Sequence, residues 1–404
     1  MGWRVEFLAT AAPDSTSGLS RGVWALSAAL VERGHAVRVL FPSEDLAPIP
    51  PFRGVVGVPV PSAITSRRPF ARDITIGRNA SDLLDPQADV VIGNDEKAGA
   101  LWWRTRPGGR PVFGMMLHDV SLHTFDTLRP LEPDRGMRQK VGNWIDRRTL
   151  KRLEGTALGK ARLIVVATDL NRQLLERYYR VRDARVRTIP HGVADPVDVG
   201  SRSEARRALK VPDDVPVASF VGGNPERQGL PIALEAFRRV RLFFPGARLL
   251  VVGCPAPSDP GVMALGVVDE PTKARALRAS DVFVFPARYE GFGLAPREAM
   301  RYGLATIASS HVPLEGLDPK REARIVASDD PADYASELAE LFADPALRRS
   351  LGEAGKAYAD QFSYAKMAER FEGALAPLLG PLTSSAAVTR HETGNVGSTR
   401  TGPG

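Results

Sequence analysis

Two glutamates eight residues apart are the feature of this 404-residue chain that most directly suggests chemistry. In FPARYEGFGLAPREAMRYG an apolar strand precedes a loop with Glu290, Gly291 and Gly293, and Glu298 then falls in the first turn of a helix. Free loop amides and the positive end of a helix dipole attract anions. The stretch therefore predicts a diphosphate site with the two carboxylates on hydroxyl groups of the same ligand. The alternative is that Glu298 only complements the helix dipole and that Glu290 is solvated.

Glycines near the start of the chain and a histidine at a strand end are two further candidates. In STSGLSRG, Gly18 and Gly22 allow a ligand phosphate to approach the backbone at the start of a helix, or merely permit a tight turn. In MMLHDVSLHTF, His118 and Asp119 follow an apolar strand, and His123 competes with His118 for an active-site role. A buried structural histidine is the alternative there.

Two more acidic residues come after another predicted strand. Asp95 and Glu96 follow ADVVIGN, and Trp102 and Trp103 lie shortly after them. Together with Asp119 they are candidates for an acceptor pocket, although a helix cap with core aromatics explains the same residues. No metal site is expected, because the six histidines lack the HExxH spacing and Cys254 is the single cysteine.

The elements that must position these residues alternate between short apolar strands and amphipathic helices. The alternation begins with WRVEFLAT and VWALSAALVERG and resumes after residue 216 with PVASFVGG and LPIALEAFRRVRLFF. It predicts an α/β fold of two Rossmann-like, doubly wound domains, in which ligands bind at the carboxyl ends of the strands. We expect domains at 1–195 and 196–365, a helix at 366–382 that crosses back to the first domain, and a disordered tail at 383–404.

The composition is that of a globular protein, with 43% hydrophobic and 25% charged residues. Charged residues interrupt every long apolar stretch, including the first, so we expect neither a membrane span nor a secretion signal, and a cytoplasmic location. The net charge of +7 favours anionic partners. Basic residues cluster around Trp144 in segment 129–152, which indicates either peripheral membrane contact or a solvated helix face.

Several ordered motifs together resemble one known family. The E-x7-E spacing within EGFGLAPREAMRYGLATIAS resembles the donor-site signature of retaining GT-B glycosyltransferases, in particular family 4. The resemblance extends to SGLSRGVWALSAALVERGHAVRVL, to IPHGV and to ASFVGGNPERQGLPIALEAF, and so spans about residues 3 to 375. It implies a GT-B fold, whose two domains face a central cleft, and transfer of a sugar from a nucleoside diphosphate to an acceptor in that cleft.

The resemblance also implies roles for individual residues. Glu290 is expected at the hydroxyls of the transferred sugar, His118 at the same sugar, and Glu298 at the ribose of the nucleotide. The backbone amides of Gly293 and Leu294 are expected to bind the diphosphate. No metal and no cofactor beyond the nucleotide-sugar co-substrate is implied, and the acceptor is a small molecule, a glycan or a lipid-linked group.

The sequence departs from this family at one donor-binding motif. The family has G-R-x4-K-G after the first strand of the second domain, and here Gly223 and Gln228 occupy the arginine and lysine positions, with Arg227 one residue away. In IPHGV, His191 stands where the family usually has asparagine. The missing charges support an alternative: a degenerate GT-B protein that binds a sugar, nucleotide or partner without turnover. A nucleic-acid partner rests on charge alone and is not expected.

Overall fold

The computed structural model describes residues 2–13, 18–62, 71–94, 111–128, 136–181 and 184–380. Within these ranges the chain forms a seven-stranded and a six-stranded sheet, each with helices around it. The strands of the first sheet are β1 (Arg4–Leu8), β2 (Ala36–Ser43), β3 (Val56–Pro61), β4 (Val90–Asn94), β5 (Val112–Leu117), β6 (Leu163–Val166) and β7 (Val186–Thr188). Those of the second are β8 (Val217–Val221), β9 (Arg248–Val252), β10 (Val262–Gly266), β11 (Val282–Phe285), β12 (Ala305–Ser309) and β13 (Arg324–Val326).

The helices follow the strands in the alternation that the sequence predicts. Those among the strands of the first sheet are α1 (Gly18–Glu32), α2 (Ala71–Asp82), α3 (Ser121–Leu128), α4 (Met137–Lys160) and α5 (Asp169–Tyr179). The later helices are α6 (Arg202–Ala208), α7 (Leu230–Arg241), α8 (Glu270–Ala279), α9 (Leu294–Arg301), α10 (Pro331–Ala343), α11 (Pro345–Ala359) and α12 (Tyr364–Leu379).

Both sheets are parallel and doubly wound, which confirms the predicted fold class. Their strand orders are β3-β2-β1-β4-β5-β6-β7 and β10-β9-β8-β11-β12-β13. The direction of winding reverses between β1 and β4 in the first sheet and between β8 and β11 in the second. Such switch points open a crevice at the carboxyl ends of the strands. The loops after β8 and β11, which carry the predicted donor motifs, lie at the switch point of the second sheet.

The central strands are those that the sequence predicts most clearly. All residues of β4, β5 and β11 are buried, as expected for parallel strands covered on both faces. The edge strands β10 and β13 are only partly buried, so their apolar runs are short and give a weak signal.

The stretch 189–216, which is rich in proline, aspartate and glycine and joins the two domains, contains a short helix. Ser201 caps α6 by accepting from the amide of Glu204, and the Glu204 carboxylate accepts in return from the Ser201 amide at 2.7 Å. This reciprocal capping box stabilises a helix start inside a segment rich in proline and aspartate.

The final described helix returns to the first domain. Phe371 of α12 packs against Phe7 of β1, with ring centroids 5.8 Å apart. Glu372 accepts from His35 Nε2 at 2.7 Å and pairs with Arg33. The predicted crossing segment 366–382 falls largely on this helix. In the described ranges, no helix is long and apolar enough to cross a membrane.

Candidate active site

A cavity of about 570 Å³ lies between the two domains, at the carboxyl ends of both sheets. The predicted site residues that line it are Gly18, His118, Asp119, Gly223, Arg227, Gln228, Glu290, Gly293, Leu294 and Glu298, whereas the predicted Gly22 does not line it. The acceptor candidates Asp95 and Glu96 lie outside the described residues, as do Trp102 and Trp103. The fold thus brings these predicted residues from four separate segments of the chain to one place.

Glu290 is held on the cavity wall by a small polar cluster. Gln228 Nε2 donates to Glu290 Oε1 at 2.9 Å, and Arg227 Nη2 lies 3.4 Å from the same oxygen. Arg227 also lies 3.7 Å from Asp119 of the other domain. Burial raises the pKa of Glu290, and Arg227 and Gln228 oppose that rise. The carboxylate is therefore oriented by donors on one oxygen.

Gln228 does not replace the lysine of the family motif in charge or in contacts. Its Oε1 accepts from the amide of Asn224 at 2.9 Å, and its amide nitrogen is used on Glu290. At Gly223 an added Cβ would meet nothing within 4 Å, so this position leaves open space rather than a side chain. Neither Gly223 nor Gln228 therefore supplies a positive charge to the cavity. Arg227 is the cation that lies beside them.

The amino end of α9 faces the cavity without a side-chain cap. Gly293 precedes the helix with φ +79°, a left-handed conformation that favours glycine, and an added Cβ would lie 2.5 Å from Val312. Gly293 and Leu294 both line the cavity. The first amides of a helix have no intrahelical acceptor and attract anions. The arrangement can therefore bind a phosphate group.

A row of alternating charges that sequence reasoning missed crosses the cavity. Arg21 of α1 pairs with Glu270 of α8, Lys273 lies 3.1 Å from Glu270, and Lys273 Nζ lies 2.9 Å from Glu298. These four residues all line the cavity. The row places two cations there that the family motif does not contain. Arg21 lies inside the glycine-rich stretch STSGLSRG, and this position is the only feature of the sequence that could have pointed to a role at the site.

His118 forms a buried pair with His191. His118 Nδ1 lies 3.1 Å from His191 Nε2, and both residues line the cavity. Burial lowers the pKa of His118 to about 4 and also lowers the pKa of His191. Both rings are neutral at pH 7, so one nitrogen of the pair donates and the other accepts. The competing His123 instead lies 3.2 Å from the Tyr178 hydroxyl and does not line this cavity.

A clasp between the domains fixes His118 relative to the Glu290 loop. Asn171 Nδ2 donates to the carbonyls of His118 at 3.1 Å and Gly291 at 3.2 Å, and Thr168 Oγ1 donates to Gly291 at 3.1 Å. An added Cβ at Gly291 would lie 2.3 Å from the His118 carbonyl oxygen. The domains meet here by direct backbone contact, which only glycine permits.

Metal binding has no visible basis in this part of the chain. Among the described residues, no group of three or more His, Cys, Asp or Glu side chains is arranged to hold a metal ion.

Comparison with known proteins identifies the fold and the family of this chain. The solved structure of sucrose-phosphate synthase from Thermosynechococcus elongatus superimposes with a TM-score of 0.75 at 20% identity, over 93% of this chain and 99% of the other. The fold is thus GT-B. Residues 16–195 match the family described as Glycosyltransferase Family 4, and residues 215–344 match Glycosyl transferases group 1. Together these matches span more than half of the chain, which belongs to this family of glycosyltransferases.

Two curated relatives resemble the chain in sequence. The D-inositol 3-phosphate glycosyltransferase of Segniliparus rotundus is 31% identical over 253 residues, which are 56% of this chain and 56% of the relative. The chain thus matches little more than half the length of that protein. The alpha-maltose-1-phosphate synthase of Mycolicibacterium smegmatis is 26% identical over 333 residues, 73% of this chain and 83% of the relative.

Proposed function

We propose that the protein is a retaining, metal-independent glycosyltransferase that moves a sugar from a nucleoside diphosphate to an acceptor in the interdomain cavity. One observation carries the proposal: Glu290 and Glu298 flank the uncapped amino end of α9 inside a cavity that both domains line. This arrangement suits a ligand with hydroxyl groups on both sides of a diphosphate. The same spacing is the family signature on which the resemblance rests.

The proposed reaction needs no strong protein base. The bond between the anomeric carbon and the diphosphate oxygen breaks, and the acceptor oxygen bonds to the same face of that carbon. The acceptor proton passes to the departing phosphate oxygen. Negative charge grows on the leaving group, and the oriented amides of Gly293 and Leu294 stabilise it without reorganising. Glu290 orients the transferred sugar. Glu298 binds the ribose after its ion pair with Lys273 is broken.

For the acceptor, we propose a phosphorylated cyclitol or sugar as the first class to test. One relative is named for inositol 3-phosphate, and the two synthases are named for the phosphorylated sugars that they make, maltose 1-phosphate and sucrose phosphate. A cavity of about 570 Å³ is of the size of a small-molecule site.

The decisive experiment measures release of nucleoside diphosphate from UDP-, GDP-, ADP- and dTDP-sugars with and without these acceptors. We expect one base to support turnover that depends on the acceptor, and NMR of the product to show the anomeric configuration of the donor. An inverted product would refute the retaining mechanism. Binding without turnover for every pair would instead favour the degenerate, non-catalytic alternative.

We also propose that one face of α4 contacts an anionic membrane surface. Met137, Val141, Trp144 and Ile145 are 48–75% exposed and share one face at helical spacing. Exposed basic residues continue that face: Arg148, whose guanidinium lies 5.5 Å from the Trp144 ring centroid, Lys151 and Arg152. An exposed apolar stripe with adjacent cations binds at the headgroup boundary of acidic bilayers. The part of segment 129–152 before Gly136 lies outside the described residues.

The membrane proposal is tested by sedimentation with vesicles of phosphatidylcholine, with and without 30% phosphatidylglycerol. We expect binding only to the anionic vesicles, weakened by salt and by Trp144→Ser. The matched control is Phe243→Ser, which removes an aromatic ring that is 78% exposed at a distant loop. Equal binding of the two variants, or none by the unaltered protein, would refute it.

A further inference from the structure

Arg297 is a buried arginine whose side chain contacts the backbone of the loop at the start of α9, on the side away from the cavity. Its side chain is 1% exposed. The guanidinium carbon lies 4.0 Å from the ring centroid of Phe292, 4.8 Å from that of Phe362 and 5.6 Å from that of Tyr358. Because a guanidinium keeps its proton in proteins, a full positive charge lies inside the second domain at this point.

The hydrogen bonds of Arg297 go to uncharged acceptors. Nη1 donates to the carbonyl of Phe292 and, at 3.5 Å, to that of Gly293. Nη2 donates to the carbonyl of Pro313 at 3.0 Å and to the hydroxyl of Tyr358 at 2.9 Å. The charge is solvated by dipoles rather than neutralised by a carboxylate.

The other cations at the cavity are committed to carboxylates. Arg21 pairs with a glutamate, Lys273 with two, and Arg227 with a glutamate and an aspartate. No described carboxylate lies within ion-pair distance of Arg297, and Glu315 acts on its charge only from farther away. Its field therefore reaches its surroundings with less compensation, and a charge acts more strongly in the protein interior than in water.

The two carbonyls that Arg297 binds belong to the peptides that contain the amides of Gly293 and Leu294, two residues that line the cavity. The Phe292 carbonyl and the Gly293 amide share one peptide, and the Gly293 carbonyl and the Leu294 amide share the next. A trans peptide is planar, so its N–H points opposite to its C=O. Drawing both carbonyls toward Arg297 turns both N–H groups away from it, and Gly293 and Leu294 line the cavity.

We propose that Arg297 is a positioning residue for anion binding: it orients the amides of Gly293 and Leu294 and supplies, from behind the loop, positive charge that Gly223 and Gln228 lack. This inference rests on the proposed function, since it assigns the charge that holds the diphosphate. Arg297 does not itself line the cavity, so its effect must pass through the two peptides and through its field.

The test compares the affinities of UDP, GDP and ADP with those of uridine, guanosine and adenosine, by calorimetry. For the nucleoside diphosphate that binds most tightly, the Kd of the nucleoside divided by the Kd of the nucleoside diphosphate measures the contribution of the phosphates. We expect Arg297→Met and Arg297→Gln to lower this ratio about tenfold, which corresponds to about 1.4 kcal/mol. Arg297→Lys keeps the charge and should stay within threefold of the unaltered protein. If the methionine variant fails to fold, the glutamine variant carries the test, because its amide still donates to a carbonyl.

The matched control is Arg206→Met. Arg206 is equally buried and donates to four backbone carbonyls, but it also pairs with Asp281 at 3.0 Å and does not line the cavity. This variant should lose stability and keep the affinity ratio. An unchanged ratio in the Arg297 variants, or an equal fall in Arg206→Met, would overturn the inference and leave the proposed function standing. If the unaltered protein binds none of these three diphosphates and does not bind dTDP either, both the inference and the proposed function fall.

Discussion

Replacing Glu290 by glutamine should cut transfer about a hundredfold and leave the fold in place. The amide is isosteric and can still accept from Gln228, now 2.9 Å away, but it loses the charge that faces Arg227 and the hydroxyls of the sugar. A hydrogen bond to a charged group contributes about 1.5–3 kcal/mol, against about 0.5–1.5 kcal/mol for a neutral one. Two such bonds to the transferred sugar therefore weaken by about 3 kcal/mol in sum, and about 1.4 kcal/mol is a factor of ten in rate.

Stability should respond differently from activity in this variant. Burial raises the pKa of Glu290, so the native state holds its proton more tightly than the unfolded chain does. The stabilising contribution of the protonated group is present at low pH and is lost as pH rises through the native pKa. Urea unfolding should show a weaker pH dependence for Glu290→Gln in that range, with little loss of stability at pH 7.

The assay is steady-state transfer with the donor that the screen of nucleotide-sugars selects, and Glu298→Gln is the control. Glu298 is expected at the ribose, away from the breaking bond, so its variant should raise KM for the donor more than it lowers kcat. The reasoning about Glu290 is wrong if Glu290→Gln keeps more than a third of the normal kcat, or if its kcat falls only because the protein unfolds.

Three further predictions concern the contacts around His118. Asn171→Leu leaves the buried His118 carbonyl unpaired, while the Gly291 carbonyl keeps its bond from Thr168, and should lower the free energy of unfolding by about 1–3 kcal/mol in urea titrations; a loss below 0.5 kcal/mol would contradict it. Because burial lowers the pKa of His118 to about 4, the unfolded chain binds a proton there that the native state does not, so stability should fall from pH 6.5 to 4, less steeply in His118→Asn. Gly291→Ala should abolish transfer by forcing a Cβ against the His118 carbonyl, while circular dichroism stays unchanged; normal activity would show that the domain contact yields.

Much of the architecture was predictable because buried parallel strands are continuous apolar runs. β5 and β11 are buried at every residue and stand out from the charged helices around them. The glutamate pair was predictable for a related reason: both residues lie in one strand–loop–helix unit, so their separation along the chain reports their separation in space. The predicted family membership is confirmed by the family matches over residues 16–195 and 215–344.

The contacts that sequence reasoning missed join residues that are distant in the chain. Arg21 and Glu270 come from different domains and pair only after both domains have folded. Asn171 looks like an ordinary polar residue in the first turn of a helix, and nothing in its neighbours predicts that it bridges two carbonyls of different domains. Arg297 reads as a surface arginine beside Glu298, whereas the folded chain buries it.

The return of α12 to the first domain has a consequence for how the protein is made. Met367, Phe371 and Leu375 belong to the apolar core formed by β1, β2 and α1, although more than 300 residues separate them from those elements. During translation the first domain emerges early, yet part of its core is still unsynthesised while the whole second domain is being added. We therefore expect the nascent first half to expose an apolar groove on the ribosome until the last helix appears. A gene cut between the two sheets should yield an aggregating amino-terminal fragment, and co-expression of a fragment carrying α12 should rescue it.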